Sequence, residues 1–388
     1  MTIAGVIAEY NPFHNGHLYH LEATRRATGC DGVVVCLAGN FTQRGEAAMF
    51  SKWTRARMAL LCGADAVFEL PALFAVRTAD FFARGGVGVL AGLGCDALSF
   101  GCETDDMALL KTLAELREDE PEALSRKIRR RLETGMSHAR ARGEAVAEYL
   151  GMAPETLNAP NLALAVEYVR CLRNASMQPF AVRRIGDYHD GTLARLCSAT
   201  AVRRALAAGE DVSRAVPAAC LPLLSAKPRL PLDMAVLYRL RQGGFSLPDA
   251  GEGLDGLLAR AARESGTLEE AIARVKSRRY TRARIARAAA HAAAGLTAEL
   301  AARYAQPPYA RLLGLRAGAE PLLRELSRRA ALPIVSDPTR LRGDACFEAE
   351  CRFTDLWALG EAESENRRAG QEFTRPFVRV EGGETPVK

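Results

Sequence analysis

The sequence predicts an α/β protein in which a parallel sheet, covered by helices on both faces, is followed by a mostly α-helical C-terminal region. Two observations carry that expectation. Short apolar runs alternate with helical stretches through the first half of the chain, the pattern of βαβ units. From about Pro217 the strand signals fade and Ala, Leu and Arg dominate. The chain has 388 residues, enough for two domains and a large core. The expected division is 1–215 and 216–388.

The first predicted strand is the apolar run Ile3 to Ala8, and the second is Gly32 to Leu37. Ala66 to Leu70 is a third, stopped by Pro71, and Ala97 to Phe100 a fourth, stopped by Gly101. Pro179 to Ile185 is the fifth. Between them, Trp53 to Cys62 reads as a helix with Met58, Leu61 and Cys62 on one face. Residues 105 to 150 are charged and helical, like an insertion or cover. Pro160-Asn161 opens a helix with Leu162, Val166 and Val169 in register, and Ser198 caps another from Ala199 to Ala208. Residues 220 to about 325 read as helical, and short apolar runs follow at Leu332 to Val335 and Asp355 to Leu359. The last dozen residues are expected to fray. The glycines at 85, 86, 88, 92 and 94 follow a predicted helix, not a strand, and lack Gly-x-Gly-x-x-Gly spacing. They predict close helix packing, not a dinucleotide site.

Hydrophobic residues make up 48%, charged residues 25% and aromatics 6%, the composition of an ordinary soluble protein. Nothing reads as a signal peptide and no apolar stretch reaches membrane-spanning length, so the expected location is cytoplasmic. The ten cysteines are scattered. Cys346 and Cys351 are the nearest pair, and no second pair or nearby histidine completes a zinc site. The cysteines are expected to be small buried hydrophobes.

Half of the six histidines, His14, His17 and His20, fall just after the first strand. The core pattern is His-x-Gly-His between a strand and a helix, which points to transfer of a nucleotidyl group from ATP. Such chemistry must stabilise charge building on the α-phosphate and on departing pyrophosphate, a task for positioned N–H donors. Gly16 lets backbone approach a phosphate, and a helix beginning near His17 aims its N-terminus at the same place. Ligands of open parallel sheets bind beyond the carboxyl ends of the strands, where this segment lies. His20, one turn on, is either a ligand contact or a capped surface residue. Further along, Ser198-Ala199-Thr200-Ala201-Val202-Arg203 fits a second nucleotidyltransferase signature. Its hydroxyls and first-turn amides can hold a phosphate, with Arg203 bridging to it.

With both signatures in view, the chain resembles the tRNA(Met) cytidine acetate ligase family. The residues that carry the resemblance are Ala8-Glu9-Tyr10-Asn11-Pro12-Phe13-His14-Asn15-Gly16-His17 and Gly39-Asn40-Phe41-Thr42-Gln43-Arg44-Gly45-Glu46. Lys52-Trp53-x-Arg55, Gly63-Ala64-Asp65, Phe100-Gly101-x-Glu103, Pro160-Asn161, Arg184-Ile185, Arg279-Tyr280-Thr281 and Pro308-Tyr309-x-Arg311 follow in family order over most of the chain. The resemblance implies a Rossmann-like nucleotidyltransferase domain and a helical C-terminal domain that binds tRNA. It implies that acetate and ATP give acetyl-adenylate and pyrophosphate, and that the acetyl group passes to N4 of the wobble cytidine of elongator tRNA(Met), with no covalent enzyme intermediate. The implied partners are acetate and that tRNA, with no DNA and no membrane.

His14 and His17 are the expected catalytic pair. ATP contacts are implied along Ile7, Ala8, Glu9, Tyr10, Asn11, Pro12, Phe13, His14, Asn15, Gly16, His17, Leu18, Tyr19 and His20. Gly101, Asn161, Arg184 and Ile185 complete the nucleotide site, and Ser198, Thr200 and Arg203 are the expected phosphate group. Asn11 either orients its loop or reaches a phosphate, and Asn161 either caps a helix or touches nucleotide. Gly101 either faces adenine or ribose or makes a tight turn. ATP is expected as its Mg²⁺ complex, although no carboxylate cluster must hold the ion. Three positions depart from the family pattern: Ala38 and Cys102 replace serines, and Leu162 replaces an aspartate.

The net charge of +6 is uneven. Residues 274 to 287 hold seven basic side chains among fourteen and no acid, which suggests a polyanion partner. Lys276, Arg278, Arg279, Arg282 and Arg284 are the expected tRNA contacts there, with Tyr280 stacking on a base. Arg44 and Lys52, cations near strand ends, would attract triphosphate or RNA backbone. Two rival readings are a small-molecule adenylyltransferase of the cofactor-biosynthesis kind and a catalytically silent RNA-binding protein. Both use the basic block or both signatures less completely.

Overall fold

The computed structural model describes residues 1–136, 138–153, 157, 159–185, 193–224 and 229–381. Its strands are β1 (Ile3–Ala8), β2 (Gly32–Ala38), β3 (Ala66–Leu70), β4 (Ala97–Cys102), β5 (Gln178–Arg183), β6 (Ala310–Arg316), β7 (Ile334–Val335) and β8 (Val378–Val380). They form one sheet in the order β5-β4-β1-β2-β3-β6-β7, with β8 also pairing with β6. The first five are mutually parallel, and β6 runs antiparallel to β3. The chain leaves β1 toward β2 on one side and comes back on the other side at β4, so β1 and β4 bracket the switch point where such sheets bind ligands.

Because strand side chains alternate, the sheet feeds two cores. Val34, Cys36, Phe68 and Leu70 point to one face. Packed there are α3 (Ala72–Ala75), α4 (Ala79–Gly92), α5 (Met107–Glu118), α6 (Glu122–Glu133), α7 (His138–Leu150), α8 (Pro160–Leu172), α15 (Glu320–Arg329) and α16 (Ala345–Ala358). Val6, Val33, Val35, Leu37 and Val67 point to the other face, covered by α1 (Asn15–Thr28), α2 (Lys52–Leu61) and α9 (Ala199–Ala208). A separate helical unit consists of α10 (Asp233–Gln242), α11 (Leu254–Arg263), α12 (Leu268–Val275) and α13 (Arg282–Ala294) around Leu240, Leu254, Leu258, Ile272 and Ile285. The short helices α14 (Ala298–Ala302) and α17 (Gln371–Thr374) complete the list. No helix among the described residues is long and apolar enough to cross a membrane.

The glycines of α4 do pack closely. A Cβ on Gly85 would lie 2.4 Å from that of Phe74, and one on Gly86 would lie 2.5 Å from Ile7 Cδ1. Two expectations are corrected. Gly101 does not stop β4, which runs on to Cys102, and Gly101 pairs with Val182 of β5. Residues 216–388 do not stand apart as one unit, because among their described residues only the segment around α10–α13 has its own core. The chain then comes back as β6, β7 and β8 to complete the sheet. The run Asp355 to Leu359 is the end of α16, and the frayed end expected at 382–388 lies outside the described residues.

What locks the returning segment is a buried cluster of charge. Lys52 Nζ donates to Glu69, to Glu350 at 2.9 Å and to Glu372 at 2.5 Å, and all four side chains are buried. Arg311 on β6 donates to Glu69 at 2.9 Å and to Glu372. Glu350 also accepts from the amide of Ala72 at 2.7 Å. Burial, with Glu69 beside it, pushes the Glu350 carboxyl up from its ordinary value. Removing one partner of a buried ion group leaves charge without compensation. Lys52→Met is therefore expected to destabilise the chain by about 3–5 kcal/mol. Urea unfolding of the variant beside the parent measures the loss.

Candidate active site

The first turn after β1 is shaped by its own side chains. Tyr10 takes a positive φ of 47° and the Asn11–Pro12 bond is cis. Tyr10 and Phe13 are buried and meet edge to face, 4.8 Å between ring centroids. Tyr10 also lies 4.7 Å from the ring of His17. On this aromatic floor the rings of His14 and His17 stack with centroids 3.7 Å apart.

His14 is the N-cap of α1. Its Nδ1 accepts from the amide of Gly16 at 3.0 Å, and Nδ1 of His17 accepts from the amide of His14 at 3.2 Å. This reciprocal pairing has the logic of a capping box built from imidazoles. An Nδ1 that accepts carries no proton, so each neutral ring carries its proton on Nε2. Neither Nε2 has a hydrogen-bond partner among the described residues, which leaves two N–H donors for a ligand. Burial pushes both rings down, His14 to about 3, with Arg184 adding to the effect. They are neutral donors at physiological pH.

The backbone of α1 offers less than the sequence suggested. The Asn15 amide donates to Ala215 O at 2.9 Å, the Gly16 amide to His14, and the His17 amide to His14 O at 2.8 Å. The first-turn amides are thus already engaged, and the imidazoles take over the role expected of them. Asn15 also donates from Nδ2 to Arg195 O at 3.0 Å and Arg214 O at 2.8 Å, tying the approach to α9 onto α1.

Arg203 of α9 donates to Asn11 O at 2.7 Å and to Thr200 Oγ1 at 3.1 Å, and Ser198 caps α9 through the Ala201 amide. Asn11 accepts from the Met49 amide through Oδ1 at 2.8 Å, so its side chain orients the loop. Arg184, beyond the end of β5, acts electrostatically on His14, His17 and His20. Its side chain meets the Gly101 position at ordinary contact distance. Asn161 donates to Glu103 Oε1 at 2.7 Å, which sets its side chain at the start of α8. His20 faces the sheet, its Nε2 3.2 Å from Ser99 Oγ of β4, and burial holds it down to about 4. Ile7 packs against α4, Leu18 leans on the α1 core, and Ile185 is exposed. The three departures from the family pattern, Ala38, Cys102 and Leu162, are all buried.

Three residues unmarked by sequence reasoning position this site. Arg55 is fully buried and donates to the backbone oxygens of Phe50, Glu9, Ala38 and Gly39 at 2.5–3.0 Å. Gln43 donates its amide to Glu9 at 2.6 Å, and burial pushes that carboxyl up. Glu103 holds Asn161. All three stood in blocks matched to the family, but nothing local in the sequence marks a residue that holds a loop or a neighbouring side chain.

Other expected contacts move away. Lys52 is buried in the ion cluster and cannot meet RNA or triphosphate, because its ammonium is spent on three carboxylates. Arg44 is exposed and bears on Arg203 and Glu9. Tyr280 is 5% exposed, with its hydroxyl donating to Glu252 O at 2.6 Å, so it is not set to stack on a base. Arg279 and Arg284 both pair with Glu252, Arg282 pairs with Glu269, and Arg287 is buried against the loop that carries Gln43. One set of carboxylates among the described residues is close enough to share a metal, namely Glu69, Glu350 and Glu372. Lys52 and Arg311 already hold it, so it does not fit one.

The family model for HIGH Nucleotidyl Transferase matches residues 1–372. The tRNA(Met) cytidine acetate ligase of Syntrophotalea carbinolica is 39% identical over 360 residues, covering 88% of this chain and 86% of that one. That of Acetivibrio thermocellus is 32% identical over 416 residues, covering 97% and 100%. Among solved structures, Thermotoga maritima TmcAL bound with alpha-thio ATP matches with a TM-score of 0.88 at 27% identity, covering 98% of this chain and 100% of that one. Its apo form gives 0.89 at 28% identity. With a stacked histidine pair at the switch point of its sheet and likeness along nearly its whole length, the chain belongs to the tRNA(Met) cytidine acetate ligase family of HIGH nucleotidyl transferases.

Proposed function

We propose that this chain is an ATP-dependent ligase that makes acetyl-adenylate from acetate and ATP and passes the acetyl group to N4 of the wobble cytidine of elongator tRNA(Met). The observation that carries the adenylation step is the stacked pair His14 and His17, each with Nδ1 bound to a backbone amide. An acetate oxygen attacks the α-phosphorus, the bond from that phosphorus to the α,β-bridging oxygen breaks, and pyrophosphate leaves. The two Nε2–H groups donate to the oxygens on which charge grows, and Arg184 and Arg203 offset it. In the second step the cytidine N4 attacks the acetyl carbon, AMP leaves, and the nitrogen loses a proton. Mg²⁺ would arrive on the triphosphate. The basic segment 274–287 supports RNA as the acceptor. No specific observation favours a small-molecule acceptor.

Incubation with labelled acetate and ATP, with and without tRNA, tests the whole reading. Label in tRNA supports it, and label on a nucleotide cofactor instead overturns it. His14→Asn keeps a capping side chain but removes the Nε2–H. It is expected to lower acetate-dependent ATP–pyrophosphate exchange by about 10²–10³-fold. His14→Ala with His17→Ala abolishes acetylation of RNA in a folded protein.

Neutral rings also set the pH behaviour. Their folded values lie below their ordinary 6.5, so the stability they contribute is complete above that pH and is lost as pH falls below it, for His14 down toward about 3. Long-range ¹H–¹⁵N spectra at pH 7 should show both rings protonated on Nε2 alone, and no charging of either ring between pH 7.5 and 5.5. A ring that gains a second proton near pH 6.5 contradicts this.

A further inference from the structure

We infer that the RNA backbone is held in a cleft between two parts of the chain far apart in sequence, and that this cleft supplies affinity without reading bases. The inference rests on the tRNA reading above and deepens it. One wall is the turn at 134–136 between α6 and α7, together with Arg140 of α7. The other is the segment 276–282 that links α12 to α13. They enclose about 510 Å³. Among the described residues Arg140, Lys276, Arg278 and Arg282 line it and no carboxylate does. The hydroxyls of Ser277 and Thr281 stand among them, each accepting from a backbone amide and so keeping its proton, whereas that of Thr134 donates to Arg131 O at 2.7 Å. Cations interleaved with hydroxyl donors are the chemistry that binds phosphodiester oxygens.

The pairing of the basic segment singles out this place. Arg274, Arg279, Arg282 and Arg284 each face a glutamate, and Arg287 is buried. Lys276 and Arg278 have no ion-pair partner among the described residues, and both are exposed and line the cleft. The opposite wall is within reach. Gly135 takes a φ of +81°, and Arg278 Nη1 lies 3.5 Å from where its Cβ would be. Among the described residues the exposed Arg140 pairs only with the partly exposed Glu144 across one helical turn, and the exposed Arg282 only with the exposed Glu269. Solvent-accessible pairs of this kind are weak and give way to a polyanion. With Tyr280 covered, no aromatic side chain among the described residues lines the cleft to stack on a base.

Binding of elongator tRNA(Met) and of an unrelated tRNA, measured across salt concentration, tests this. Lys276→Ala with Arg278→Ala, and separately Arg140→Ala, should weaken binding of both RNAs by the same factor. The slope of log affinity against log salt should fall by about one per cation removed. Arg278→Lys should retain the slope, and Arg328→Ala, on α15, should bind as the parent does. Unchanged thermal midpoints show that the variants are folded. Loss confined to tRNA(Met) overturns backbone recognition. An unaltered slope in Arg140→Ala overturns the two-walled cleft. If every variant binds like a parent that itself binds tRNA, the cleft is wrong and the ligase reading stands. If the parent binds no tRNA, both fall.

Discussion

Everything above the sheet rests on a charge cluster buried within it. Lys52 opens α2, Glu69 ends β3, Arg311 lies on β6, and Glu350 and Glu372 come from α16 and α17. Five elements from the two ends of the chain meet on two cations. The same residues reach the loop that follows β2. The backbone amide of Lys52 donates to Asn40 at 2.7 Å, Asn40 donates to Thr354 at 3.1 Å, and Glu350 fills the space beside Gly39. Buried ion groups often add little net stability, yet they tolerate few alternative arrangements, because each misplacement strands a charge. Here they fix which strand sits beside β3 and where the loop after β2 can run.

On that base, local structure determines chemistry. The histidines at the start of α1 cap the helix through Nδ1 and leave Nε2 of the same rings unpartnered among the described residues. Capping fixes the tautomer, stacking fixes the spacing, and burial keeps the charge off. Neutral N–H donors set in advance need not reorganise as charge develops. Positive charge comes separately, from Arg184 on β5's end and Arg203 on α9, so donor geometry and field are supplied by different elements.

What was legible in the sequence was local. The strands β1 to β5 follow from apolar runs, α9 from its serine cap, and the turn from β1 into α1 from a histidine pattern directly after a strand. What was not legible depends on partners far away. Arg311 looks like a surface charge in a helical region, but its carboxylates lie 242 and 61 residues distant, and with them it becomes part of a buried strand. Lys52 misleads for the same reason. The segment 274–287 looks free of acids because Glu252, Glu264 and Glu269 that face it lie outside the window. The capping role of the histidines, which uses up the amides of α1, needs ring orientations that residue spacing does not contain.

One contact joins the two ends of the proposed reaction. Gln43 donates its amide to Glu9 beside the histidine turn, and its carbonyl oxygen accepts from Arg287 of α13 at 3.4 Å. Two residues on, Gly45 has a φ of +82° and lies against the backbone of Arg287, where a Cβ would come within 2.4 Å of its nitrogen. The helical unit is thus keyed to a hairpin-like loop after β2 by backbone fit, with no room for a side chain between them. A chimaera that exchanges the helical unit between relatives must carry the 39–46 loop with it, since the seam between modules runs through that loop and not along the linkers that flank it.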